Sequence, residues 1–284
     1  MNEFFSFIIF IRPMQNIFTS ENFTDVNRAF LYGDAVKVSF FVRNSSLIMA
    51  EESYFYLMAS MRKMRMNIPL SYTLEYFQNL FTEEILNRGA ENGIITFLVY
   101  RDVDAQTLQK SGVSFYFDFK ELNDVLSIQR DFELDIIKEI FVNSSLLSNI
   151  RVHSPENVYA EIYAQENDLD EVILLNAHKR IARTISGNLL FLQEGKIKLA
   201  KQTEGALISP LMENFITFLH KNNLAEVDQV EMIAFESQKA EEILLISDEK
   251  GLFSVTKIRN RTFAKSTFES WIAQWKHSFT IIND

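Results

Sequence analysis

A chain of 284 residues, 47% hydrophobic and 23% charged, has an ordinary globular make-up, with core enough for one large domain or two mid-sized ones. Its formal charge of −10 is spread in mixed-sign clusters without a basic stripe, which argues against a nucleic-acid partner. The absence of cysteine excludes disulfides, thiolate metal sites and thiol nucleophiles, and fits a cytoplasmic protein.

Residues 4–12 read as a buried strand closed by Pro13. Their apolar run is far too short to span a bilayer and has no basic flank or small-residue cleavage site, so neither a signal peptide nor a membrane segment is expected. Residues 16–26 are polar and turn-rich. Residues 36–42, rich in Val and Phe, suit a strand, and Asn44-Ser45-Ser46 suits a turn. From Ala50 the apolar spacing becomes helical and continues towards Pro69. Its methionine stripe (Met58, Met61, Met64, Met66) reads as core filler rather than a ligand site. A second helix is expected over 71–88, with Gly89 as its stop. Strands at 94–101 and 113–119 complete an α+β first half.

The charged stretch 121–131 reads as a linker between a domain at 1–120 and another at 132–284. A strand is expected over 135–142. Ser154-Pro155-Glu156 is a helix start, with a Ser cap, Pro at the first position and an acid in the first turn. That helix runs to about Glu166. Strands follow at 172–176, 182–185 and 189–192, then a turn at Glu194-Gly195 into 196–200. A helix at 211–222 is followed by strands at 230–235, 243–247 and 253–258, and by a last helix at 266–279. The four histidines lack metal-ligand spacing, so no metal site is expected. Glu51-Glu52 and Glu241-Glu242 read as solvated faces rather than paired catalytic acids.

Two segments carry a resemblance. Residues 28–39 read RAFLYGDAVKVS, and residues 170–191 read DEVILLNAHKRIARTISGNLLF. They resemble the class IV pyridoxal-phosphate enzymes, the branched-chain and D-amino-acid aminotransferases and aminodeoxychorismate lyase. Those proteins read R-G-F-L-Y-G-D-G-V-F-E-T and D-E-x-L-L-x-x-x-G-x-x-x-E-x-x-x-x-N-x-F. A third stretch, 240–246 with Val255, is similar to a late A-D-E-V-F element. The resemblance implies an α+β, two-domain D-amino-acid-aminotransferase-like fold. It has a small N-terminal α/β domain, a larger barrel-like C-terminal one, and a homodimer with its cleft near the subunit interface.

The family's chemistry needs a lysine for the internal aldimine, a carboxylate on the pyridine nitrogen and a phosphate cradle. The resemblance places Arg151 at the lysine, and a guanidinium is no amine nucleophile near neutral pH. It places Arg183 at the glutamate, where a cation opposes a protonated ring nitrogen. The phosphate-binding arginine falls at Tyr56. The phosphate-cradling turn falls at Ser209-Pro210-Leu211-Met212, where proline removes one amide.

No catalytic residue is therefore assigned. Arg28, Tyr56, Arg151, His153, Arg183, Asn188 and Ser209 are the candidates for the cleft, although His153 reads better as a satisfied loop histidine. Three functions follow from this pattern. One is a non-catalytic relative, without cofactor, that holds a small anion on Arg151 and Arg183, unless those pair with acids such as Glu161 or Glu171. Another is an active pyridoxal-phosphate enzyme with a relocated lysine. The last is a structural or partner-binding role.

Overall fold

The computed structural model describes residues 27–102 and 111–281. The strand expected at 4–12 and the turn-rich stretch 16–26 lie outside these residues. Arg28–Tyr32 (α1) is a short helix that the sequence reading did not anticipate. The side chain of Asn27 accepts from the Phe30 amide at its start, and Gly33, at φ 63°, ends it.

Strand β1 (Ala35–Arg43) turns through Asn44 and Ser45, both at positive φ, into β2 (Ser46–Ile48). It also pairs antiparallel with β3 (Gly93–Arg101), which pairs antiparallel with β4 (Val113–Glu121). Val36, Val38, Phe40 and Val42 alternate onto one face, where α2 (Ala50–Lys63) and α3 (Leu74–Glu84) cover them. Leu57, Met61, Phe77 and Phe81 are fully buried there, so the methionine stripe is core. The rings of Phe40 and Phe81 lie 4.8 Å apart, and those of Phe77 and Phe97 5.2 Å apart edge to face.

Both helices stop short of their expected ends. Arg65 takes a left-handed φ of 53° after α2, and α3 gives way to a single 3-10 turn at Leu86–Arg88 before Gly89.

Residues 122–127 lead into β5, which spans Ile128–Val142 and starts seven residues before the expected position. It is the central parallel strand of a curled nine-stranded sheet in the order β10-β9-β8-β11-β12-β5-β6-β7, with β13 beside β12. These strands are β6 (Glu171–Asn176), β7 (Ile181–Thr184), β8 (Asn188–Gln193), β9 (Lys196–Ala200), β10 (Glu226–Val230), β11 (Glu242–Ser247), β12 (Gly251–Ile258) and β13 (Arg261–Thr262). An Arg180–Ile233 bridge, with the Ile181 amide donating to Met232 O at 2.7 Å, ties the two ends of the sheet together.

Helix α4 (Pro155–Glu166) packs on one side of the curl, and α5 (Pro210–Lys221) with α6 (Ser266–Ile281) on the other. Phe41 and Ile94 join the α5–α6 core, so the two sheets share an apolar seam. Among the described residues no helix is long and apolar enough to cross a membrane.

The strand expected at 230–235 is displaced. The strand itself is Glu226–Val230, and Ala234–Lys239 forms a 3-10 helix. Glu236 accepts the Ile233 amide at 3.0 Å and the Ser237 hydroxyl donates to Ala234 O at 2.7 Å, which winds the chain locally.

Candidate functional site

Period-two alternation on β1 sends Lys37 and Ser39 away from the helical core, towards the second sheet. Opposite them the chain leaves β5 and pins its backbone at Arg151, whose carbonyl accepts the Lys37 amide at 2.9 Å. The Arg151 guanidinium then does two things. Its Nε pairs with Glu249 Oε1 at 2.6 Å, and its Nη1 donates to Ile185 O at 2.7 Å. Lys37 Nζ reaches the other oxygen of Glu249 at 3.2 Å. Burial alone pushes the Glu249 carboxyl up, but Arg151 and Lys37 more than offset it and hold it below its ordinary range.

Next to this cluster, Ser209 caps α5 by accepting the Met212 amide at 3.1 Å. Its hydroxyl donates to Asp248 Oδ1 at 2.6 Å, and the Leu211 amide donates to the same oxygen at 3.3 Å. A carboxylate of the chain itself thus sits on the α5 N-terminus. Burial pushes the Asp248 carboxyl up to about 7, against the pull of these two bonds and of Arg151.

Asn188 closes the floor. Its Nδ2 donates to Leu207 O and its Oδ1 accepts the Leu207 amide, both at 2.9 Å, clasping β8 to the segment before α5. Gly187 beside it is required by space, because a Cβ there would lie 2.1 Å from Ile246 O. Tyr56 is buried on α2 and its hydroxyl donates to Asn149 O at 3.4 Å. Burial first, then Asp248, raises its phenol well above the ordinary value.

Tyr56, Arg151, Asn188 and Ser209 therefore meet around one small cavity. It holds about 20 Å³, roughly the space of one water. The other three candidates lie elsewhere. Arg28 donates to Asp34 Oδ2 at 2.7 Å with its guanidinium 4.6 Å above the Tyr32 ring, while Arg101 holds the other Asp34 oxygen. Exposed His153 packs against Gly33 and lines two larger cavities of about 320 Å³ each.

Arg183, 6% exposed, borders one of those two. Its bonds run from Nη1 to Thr184 O at 2.9 Å and Ile185 O at 3.5 Å. Neither arginine takes the acids weighed for them. Glu171, fully buried, pairs with Lys250 at 2.9 Å and accepts the Ser186 amide. Glu161 lines the cavity on the α1 side.

Asp248 and Glu249, in the turn between β11 and β12, were missed as cleft residues. Nothing local sets an acidic turn at a cleft apart from one at a surface. Lys37 lies on the alternate face of β1, and nothing in the neighbouring sequence shows the cleft that face meets.

The sequence pattern of the class IV amino-transferases matches residues 42–258, most of the chain. No curated protein sequence matches it. A putative 4-amino-4-deoxychorismate lyase from Legionella pneumophila superposes with a TM-score of 0.79 at 16% identity, over 90% of this chain and 94% of that one. The branched-chain aminotransferase of Thermoproteus uzoniensis, solved with norvaline, gives 0.78 at 15% over 88% and 86%. That of Escherichia coli gives 0.75 at 13% over 87% and 86%. The chain belongs to the class IV aminotransferase family. That family is pyridoxal-phosphate-dependent, and its fold is the one described above.

Proposed function

We propose that this protein keeps the class IV scaffold without transamination and holds a small anionic ligand in its cleft. The observation that carries this reading is the Arg151–Glu249–Lys37 cluster. At the position the resemblance gives to the Schiff-base lysine stands a guanidinium, fixed by a carboxylate at 2.6 Å and a carbonyl at 2.7 Å. A guanidinium cannot form the imine on which the cofactor's chemistry depends.

Two further features oppose the cofactor. Asp248 Oδ1 occupies the Leu211 amide at the α5 N-terminus, one of those that would meet a phosphate, and the cavity between Tyr56, Asn188 and Ser209 is about 20 Å³. The residues present therefore do not fit pyridoxal phosphate.

The competing reading, an active enzyme with a relocated lysine, has Lys37 and Lys250 as its candidates among the described cleft residues. Each is already engaged by a carboxylate, Glu249 at 3.2 Å and Glu171 at 2.9 Å. The test is optical. Protein incubated with pyridoxal phosphate and then desalted is expected to stay colourless and unchanged by borohydride. A retained visible band that borohydride bleaches overturns the proposal.

We further propose the homodimer that the resemblance implies. Val158, Tyr159 and Ile162, each about half exposed on α4, offer apolar surface for it. Light scattering should give twice the chain mass of 33.1 kDa, and a mass of 33.1 kDa refutes the dimer.

A further inference from the structure

Arg183 is a buried cation with no carboxylate in direct contact. No carboxylate lies within 4.0 Å of it among the described residues, its Nε is enclosed with no hydrogen-bond partner, and it borders a cavity of about 320 Å³. Burying a guanidinium is costly unless acceptors meet it. Burial, reinforced by Arg151 and opposed by the more distant carboxylates of Glu156, Glu171 and Glu249, pulls its pKa down to about 9.

Acceptors are short here. The single carbonyl of Ile185 takes Arg151 Nη1 at 2.7 Å, Asn157 Nδ2 at 3.3 Å and Arg183 Nη1 at 3.5 Å, three donors for two lone pairs. The N-terminus of the twelve-residue helix α4 adds to the deficit. Its cap residue Ser154 makes no bond to the first-turn amides and instead donates to Glu156 at 2.9 Å, whose carboxylate also borders the cavity. One acceptor stands idle in the same wall: Asn157 Oδ1 is enclosed and unpartnered. The remaining wall is mixed, with Leu147, Ile150, Val152 and Leu207 beside Asn143, Ser145, Ser148 and His153.

We propose that this cavity binds a small hydroxy acid, its carboxylate at Arg183 and the α4 N-terminus and its hydroxyl donating to Asn157. The inference deepens the anion-binding reading above and gives it a place separate from the small cavity at Ser209, with Arg151 and Leu207 as the shared wall. An amino acid suits the site less well, because its ammonium would face two guanidinium groups.

The test is calorimetric titration of the full chain with L-lactate and with propionate, which lacks the hydroxyl. Saturable lactate binding with a Kd on the order of 1 mM is expected, as befits a ligand of so few atoms, and propionate should bind at least threefold more weakly. Arg183→Met should weaken lactate at least tenfold. Leu147→Trp, filling the cavity from a side chain already 36% exposed, should abolish binding with the circular dichroism unchanged.

No saturable heat with the wild type, or undiminished binding to a folded Leu147→Trp, overturns the proposal, and equal binding of the two acids overturns the role of Asn157. Borohydride treatment of the same wild-type sample with pyridoxal phosphate reports separately on the non-catalytic reading. The two failures are therefore distinguishable.

Discussion

Asp248→Asn isolates the charge that the chain places on its own helix terminus. The substitution keeps the oxygen that accepts the Ser209 hydroxyl and the Leu211 amide and removes only the ionisation. Folding raises this carboxyl from 3.8 to about 7. At about 1.4 kcal/mol per pKa unit, the ionised form is disfavoured by at most about 4 kcal/mol. The side chain keeps some solvent contact, and screening brings the expected effect to about 2 kcal/mol.

The sign follows from the direction of the shift. A carboxyl raised on folding favours the native state below its unfolded value, and that contribution is lost as pH climbs through the folded value. Wild type should therefore weaken between pH 4 and pH 7 relative to the Asn variant. Urea unfolding at pH 4 and pH 8 reads the change. The variant should gain about 2 kcal/mol on wild type across that interval, roughly 0.7 M in urea midpoint at the slope of a chain this size. A stability gap that does not vary with pH refutes the argument.

Two other perturbations probe the cleft. Glu249→Gln leaves Arg151 and Lys37 facing each other without a carboxylate and should cost about 2–3 kcal/mol. A Glu249→Gln/Arg151→Gln pair should recover part of that loss, which thermal unfolding would show. Gly187→Ala drives a Cβ to 2.1 Å from the Ile246 carbonyl, a backbone atom that cannot swing away. It should cost more than about 3 kcal/mol or abolish soluble expression, and a folded variant with an unchanged melting temperature contradicts the packing described.

The framework was legible because it depends on local signals. The Val- and Phe-rich run of β1, the helical methionine spacing of α2 and the Ser-Pro start of α4 each fix an element from neighbouring residues. The motif residues proved to be joints: Gly33 ends α1 in a left-handed turn, Asp34 gathers Arg28 and Arg101, and Asn188 clasps Leu207.

What stayed hidden depends on distant partners. The Arg151–Glu249 contact joins residues 98 positions apart, and Asp248 meets Ser209 across 39. The charged edge strand Glu226–Val230 carries little strand propensity of its own. Its parallel pairing with β9 decides it, which is why the apolar residues just after it attracted the assignment.

With a guanidinium at residue 151, no imine is expected to form in this scaffold. Intact mass spectrometry with peptide mapping, after pyridoxal phosphate and borohydride, tests it most directly. No stoichiometric phosphopyridoxyl adduct is expected on any cleft lysine, Lys37 and Lys250 included. One adduct per chain mapped to either of them contradicts it.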